Sequence, residues 1–186
     1  MRSRGIQPPR ALHDSARITM GTKLMEAQAH SEQTQLAIAF PSSEWFERLA
    51  QLMKVNRTLH EHLGYIDCVA QFTVLDGGPS GKPWSVQVTF EEFDATDVRE
   101  AGLGDDARAD FTLEASLSTW REMIEVIARG RGRPDLTHTL NHLSHPGTPI
   151  RVWSEDPLRK DLFFRYNQSL QEFINASAAF RTFFEG

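Results

Sequence analysis

The chain has almost no thiol chemistry. Cys68 is the single cysteine in 186 residues, so no internal disulfide and no cysteine-rich zinc site can form. One thiol suits a reducing compartment, and a cytoplasmic protein is the expectation. Basic charge is in deficit as well. The chain sets 20 Lys and Arg against 25 Asp and Glu, for a net −5. That argues against a nucleic-acid partner, since such binding rests on neutralising phosphates with basic side chains. Long apolar runs are missing. The longest stretch without Lys, Arg, Asp or Glu is Leu136–Ile150, which spans 15 residues and carries three His, Asn141, Pro146 and Gly147. A membrane-spanning helix needs roughly 20 mainly apolar residues, so no transmembrane segment is expected. Gly-x-Ser-x-Gly elbows, phosphate-binding Walker loops and dinucleotide fingerprints are absent too. No catalytic residue and no cofactor is assigned on this basis. Tyrosine is scarce, with 2 copies beside 12 Phe and 4 Trp, so the aromatic side chains are nearly all apolar.

What is present fits one domain, with 40% hydrophobic and 24% charged residues. Residues 1–39 differ from the rest, with Pro8-Pro9, several Gln and no aromatic. They read as a disordered leader, with Met20 or Met25 as alternative starts, and 40–186 as the folded domain. After Pro41, Ser42 is a candidate helix N-cap. Trp45, Leu49, Leu52, Leu59 and Leu63 recur on one face of a helix predicted from Ser43 to Leu63. Tyr65–Leu75 and Trp84–Phe90 alternate as strands around the turn signal Asp76-Gly77-Gly78-Pro79. Glu91–Asp110, with 8 acidic residues, reads as an acidic loop. Phe111–Leu117 is a third strand. Ser118 then caps a helix bearing Trp120, Met123, Ile124 and Ile127, closed by Gly130. Arg129, Arg131 and Arg133 form a short basic linker, and Pro134 begins a short helix to about Leu143. Ile150–Ser154 is a fourth strand, and Asp156 caps a long helix predicted from Pro157 to about Phe184. The order predicts an α+β domain whose sheet has helices on one face.

Short motifs place this pattern beside a known family. Ala109-Asp110-Phe111-Thr112-Leu113 leads into Trp120-Arg121, and Gly147-Thr148-Pro149-Ile150-Arg151-Val152 leads through Ser154-Glu155-Asp156 to Leu158. From Ser42 to Phe184 the chain resembles the sterol carrier protein-2 family. It departs from the family pattern after the last strand, where Val152-Trp153-Ser154-Glu155-Asp156 lacks the usual glycine, and in its longer final helix. The resemblance implies a five-stranded mixed or antiparallel sheet, helices on one face, and an apolar tunnel between them. It implies a non-catalytic carrier of a fatty acid, acyl-CoA or sterol-like ligand. The residues expected to line the tunnel are Trp120, Met123, Ile127, Phe163, Tyr166, Leu170 and Phe173. Half of the Phe residues lie between Phe163 and Phe184. On one helix they would exceed a single packed seam, and the surplus would line a cavity, meet a second copy in a homodimer, or touch a membrane surface. An enzyme or accessory subunit acting on a hydrophobic metabolite, and a homodimeric interaction module, are the alternatives. The weak metal candidates are His138, His142 and His145, which fall within a wedge of about 60° on a helix. Leu136, Leu140 and Leu143 lie opposite and would turn that stripe to solvent. Cys68 sits on the apolar side of its strand, where a thiol is inert.

Overall fold

The computed structural model describes residues 37–102 and 105–184. Of the leader expected over 1–39, residues 1–36 with the alternative starts lie outside the described residues, while Ile38 and Ala39 belong to a strand and to the folded domain. The first described element is a strand, β1 (Ile38–Phe40), followed by α1 (Ser43–Val55) and α2 (Arg57–Leu63). Ser42 is the N-cap: its Oγ accepts the Trp45 N–H at 3.1 Å. The single helix expected to Leu63 is in fact two. Asn56 (φ −96°, ψ 25°) ends one helix and begins the other. It donates to the Leu52 carbonyl and accepts from the Leu59 N–H, both at 2.9 Å. The break lets α1 bury Trp45, Phe46, Leu49 and Met53, while α2 buries His60.

The sheet contains β2 (Ile66–Val74), β3 (Trp84–Glu92), β4 (Asp94–Glu100), β5 (Phe111–Ala115) and β6 (Arg151–Trp153), in the order β4-β3-β2-β5-β6. All neighbours are antiparallel except β2 and β5. The fold is α+β, with one five-stranded mixed sheet. One strand of this sheet was missed from sequence: β4 lies within the expected acidic loop. Its turn is carried by Glu92 in the left-handed region (φ 59°) and not by a glycine. Its pairing with β3 slips at Thr89/Phe90, which breaks the alternation that marks a strand. Charged side chains suit its position at the sheet edge.

Ile66, Cys68, Ala70, Phe72 and Val74 of β2 share a face with Val86, Val88 and Phe90 of β3 and with Phe111 and Leu113 of β5. Helices α1, α3 (Leu117–Arg129) and α5 (Pro157–Asn175) cover that face. Phe46, Trp120 and Phe173 each place a ring within 6.5 Å of Phe72. The cap of α3 is Ser116, not Ser118: Ser116 Oγ accepts the Thr119 N–H at 3.3 Å. Asp156 caps α5 by accepting the Leu158 N–H at 2.9 Å.

The last helix is shorter than its aromatic content suggests. α5 stops at Asn175, a 3-10 turn covers Ala176–Ala179, and β7 (Thr182–Phe184) pairs in parallel with β1. Phe180 is buried 6.0 Å from Trp45, and Thr182 Oγ1 accepts the Trp45 indole N–H at 3.0 Å. Phe184 lies 5.9 Å from Phe40. The aromatic surplus thus divides between a helix and a strand that closes over α1. Before β6, the expected short helix is a 3-10 turn over Leu136–His138, capped by Asp135, followed by α4 (Leu140–Leu143), capped by Thr139. The Leu140 N–H donates to Gln171 Oε1 at 2.6 Å, and Gln171 donates to Asn175 at 2.8 Å, which ties α4 to α5.

Candidate ligand-binding site

The apolar interface between helices and sheet is the place to seek a hydrophobic ligand. Six of the seven residues expected to line it are buried in the core: Trp120, Met123, Ile127, Phe163, Leu170 and Phe173. α3 supplies the first three and α5 the rest. Their spacing explains this, since Trp120, Met123 and Ile127 share one stripe of α3, as Phe163, Leu170 and Phe173 share one of α5. Trp120 also donates its indole N–H to the Thr73 carbonyl at 3.2 Å. Phe173 meets Phe90 edge-on at 5.0 Å, and Phe163 meets Phe111 at 5.8 Å.

Tyr166 is placed differently. It is half-buried and lines a surface cleft of about 410 Å³ with Leu63, Tyr65, Arg165, Gln168 and Ser169. The cleft lies where α2 ends against α5. Tyr65 is exposed, as is Leu59, one turn before Leu63 on α2. Leu63 and Tyr65 were not among the expected lining residues. Their signal was present in the periodicity of Leu59 and Leu63, but only the break at Asn56 separates this face from that of α1.

A charged cluster braces α2 beside the cleft. Arg57 pairs with Glu61 at 3.0 Å and Asp94 at 2.8 Å, and its guanidinium sits 5.3 Å from the Phe93 ring centroid. His60, one turn on, is buried, and its Nδ1 has no hydrogen-bond partner among the described residues. Burial pushes the His60 pKa below its ordinary value, and the Asp94 carboxylate only partly opposes this. A buried base held neutral binds its proton less tightly folded than unfolded. Stability is therefore full above the unfolded value of about 6.5 and falls as pH drops below it. The urea midpoint is expected to fall between about pH 7.5 and about pH 5, and His60→Phe to flatten much of that decline. An unchanged slope in the variant would assign the acid sensitivity elsewhere.

The histidine stripe does not form. His138 lies in the 3-10 turn, while His142 and His145 are exposed beyond it. His138 Nδ1 bonds Asp135 at 2.7 Å, and its Nε2 lies 3.3 Å from Glu122. Its acidic partners are supplied by the cap and by α3. They raise the His138 pKa, the Asp135 bond first, while the Thr137 hydroxyl, ahead of His138, holds Asp135 down to about 2. Among the described residues no group of three His, Cys, Asp or Glu is arranged for a metal ion. Cys68 is buried, and burial pushes its thiol far above the ordinary range.

No family model and no curated protein matches the sequence. Solved structures do match. The crystal structure of sterol carrier protein 2 superposes with a TM-score of 0.53 at 17% identity, over 75% of this chain and 97% of that one. The chain has the fold of sterol carrier protein 2. The solution structure of a conserved hypothetical protein from Thermus thermophilus gives a TM-score of 0.48 at 15% identity, over 74% of this chain and 88% of that one. In sterol carrier protein 2 terms, the five-stranded sheet and its covering helices are shared. Among the described residues, no helix here is long and apolar enough to cross a membrane.

Proposed function

We propose that this protein is a non-catalytic carrier of a hydrophobic small molecule, held between the helices and the apolar face of the sheet. The observation that carries the reading is that fold, an apolar sheet face covered by helices, with a surface cleft between α2 and α5 lined by Leu63, Tyr65 and Tyr166 beside polar side chains. Tyr166 and Leu63 are the threshold of the site. Trp120, Met123, Ile127, Phe163, Leu170 and Phe173 are its walls, and α2, braced mainly through Arg57, is the element that yields. Each 100 Å² of apolar ligand surface removed from water contributes about 2.5 kcal/mol before association costs. An acyl chain or a sterol-like ring system has the surface this needs.

The test is a titration of delipidated protein with a fluorescent fatty acid and a fluorescent sterol, with native mass spectrometry of the protein as purified. At least one probe is expected to bind saturably at one site. Tyr166→Asp is expected to weaken it roughly tenfold by placing a charge at the threshold, with little change in thermal midpoint. Absence of saturable binding by either probe, with no retained apolar ligand, would sink the carrier reading.

A further inference from the structure

The sheet face turned away from the helices is as polar as the other is apolar. Register places Arg99, Gln87, Gln71, Thr112 and Trp153 in one row across all five strands. Gln71, Gln87 and Thr112 are more than nine-tenths buried, as is Thr73 in the next row. Buried polar groups are costly unless hydrogen-bonded, and apolar side chains would serve simple packing here just as well. These side chains instead form a network. Gln87 donates to Gln71 and to the Asp105 carbonyl, both at 2.8 Å, and accepts from Arg99. The Thr73 and Ser85 hydroxyls pair at 2.8 Å.

A cavity of about 240 Å³ opens on this face, and a larger one of about 320 Å³, which also takes in Phe111 and Arg159 at the start of α5, shares Thr112 and Trp153 with it. The smaller is walled by Gln71, Thr73, Thr112 and Glu114, with Leu75 and Trp153 as apolar surfaces. Trp153 is held in place. Its indole N–H donates to Glu114 at 2.9 Å, and the Arg151 guanidinium lies 5.6 Å from its ring.

We infer that the smaller cavity is a second ligand site, for an uncharged hydroxylated ring of monosaccharide size. Charge narrows the class first. Glu114 is the one ionised group among the cavity's described lining residues, and Arg151 already pairs with it at 2.6 Å. An anion would meet a carboxylate and no cation there. A cation would meet a carboxylate already neutralised. Hydrogen bonding narrows it further. Hydroxyl and amide groups both donate and accept, which matches ligand hydroxyls. The Trp153 and Leu75 surfaces suit the C–H face of a saturated ring. The volume lies below the roughly 300–1,000 Å³ of drug-sized sites, so a single ring fits and a long chain does not. The site is on the opposite side of the sheet from the proposed carrier site and does not depend on it.

Titration of the ¹⁵N-labelled full chain with methyl glucoside, methyl galactoside and methyl mannoside tests this, with inorganic phosphate as the charged comparison. At least one glycoside is expected to move the Trp153 indole and the Gln71 and Gln87 side-chain amide resonances along a saturable, millimolar curve. Phosphate is expected to leave them in place. Thr112→Val keeps the shape and removes the hydroxyl. It is expected to weaken binding roughly fivefold or more, the effect of one lost hydrogen bond. If that variant fails to fold, Ser85→Ala on the same wall supplies the measurement. The inference is overturned by shifts that grow linearly with every glycoside, by phosphate moving the same resonances saturably, or by unweakened binding in the folded variant.

Discussion

Trp120→Ala is expected to lower the unfolding free energy by about 3–5 kcal/mol, the range for removing a large buried aromatic. Three losses coincide at this position. The ring is 2% exposed and sits between Phe40 and Phe72, with centroids at 6.5 and 6.1 Å. Its removal leaves a void between α3 and the sheet that close-packed neighbours fill only in part. It also removes the indole N–H that donates to the Thr73 carbonyl at 3.2 Å, a buried hydrogen bond worth about 1 kcal/mol. At about 2–4 °C per kcal/mol for a domain of this size, the thermal midpoint should fall by roughly 10 °C. Urea unfolding of the variant beside the parent measures the difference. A loss below about 1 kcal/mol would mean that the ring is not packed between helix and sheet.

The second large effect is a pair of opposite signs at the end of α3. Gly130→Ala is expected to destabilise by about 2–3 kcal/mol, because a Cβ built there lies 2.0 Å from the Arg133 carbonyl oxygen. That oxygen belongs to the backbone and has no rotamer by which to escape. Arg131→Gly is expected to stabilise by up to about 1 kcal/mol. The helix ends with the Gly132 N–H on the Ile127 carbonyl at 2.9 Å and the Arg131 N–H on the Ala128 carbonyl at 3.1 Å. That pattern puts the left-handed residue at Arg131 (φ 52°) and not at Gly130 (φ −81°). Sequence pointed to a glycine closing the helix, and the role of that glycine is close approach, not handedness. Thermal unfolding of both variants decides the matter. Two destabilising substitutions, or two neutral ones, would contradict this account of the helix end.

The legible part of the fold was the part with strong local period. Ser42 and Asp156 were readable as caps because a side-chain acceptor precedes an apolar repeat. β2, β3 and β5 were readable because alternation survives along their length. β4 was not, since a register slip and an edge position removed both the alternation and the need for apolar residues. The run from Phe163 to Phe184 misled for a related reason. An aromatic count carries no phase, so it did not separate Phe173 on a helix from Phe180 in extended chain. In the candidate site, residues of α3 and α5 were legible as inward-facing, whereas Leu63 and Tyr65 at the cleft needed the turn at Asn56. The polar row on the outer face was hidden as well. Gln71, Gln87 and Thr112 read as ordinary solvent-facing positions, and only the packing of distant segments buries them.

Composition and pattern alone determined that the chain carries a single thiol, an acidic balance, and one sheet with an apolar side for helices to cover. Those properties follow from residue identity and from spacings of a few positions, which the backbone period reads directly. Tertiary structure decided where the last helix stops, which strand completes the sheet, why His138 pairs with Asp135 and Glu122, and which polar side chains lie in the interior. Each of these depends on contacts between residues far apart in sequence. Burial, not side-chain type, sets whether a Gln is a solvated ornament or part of a wall, and burial is a property of the assembled chain.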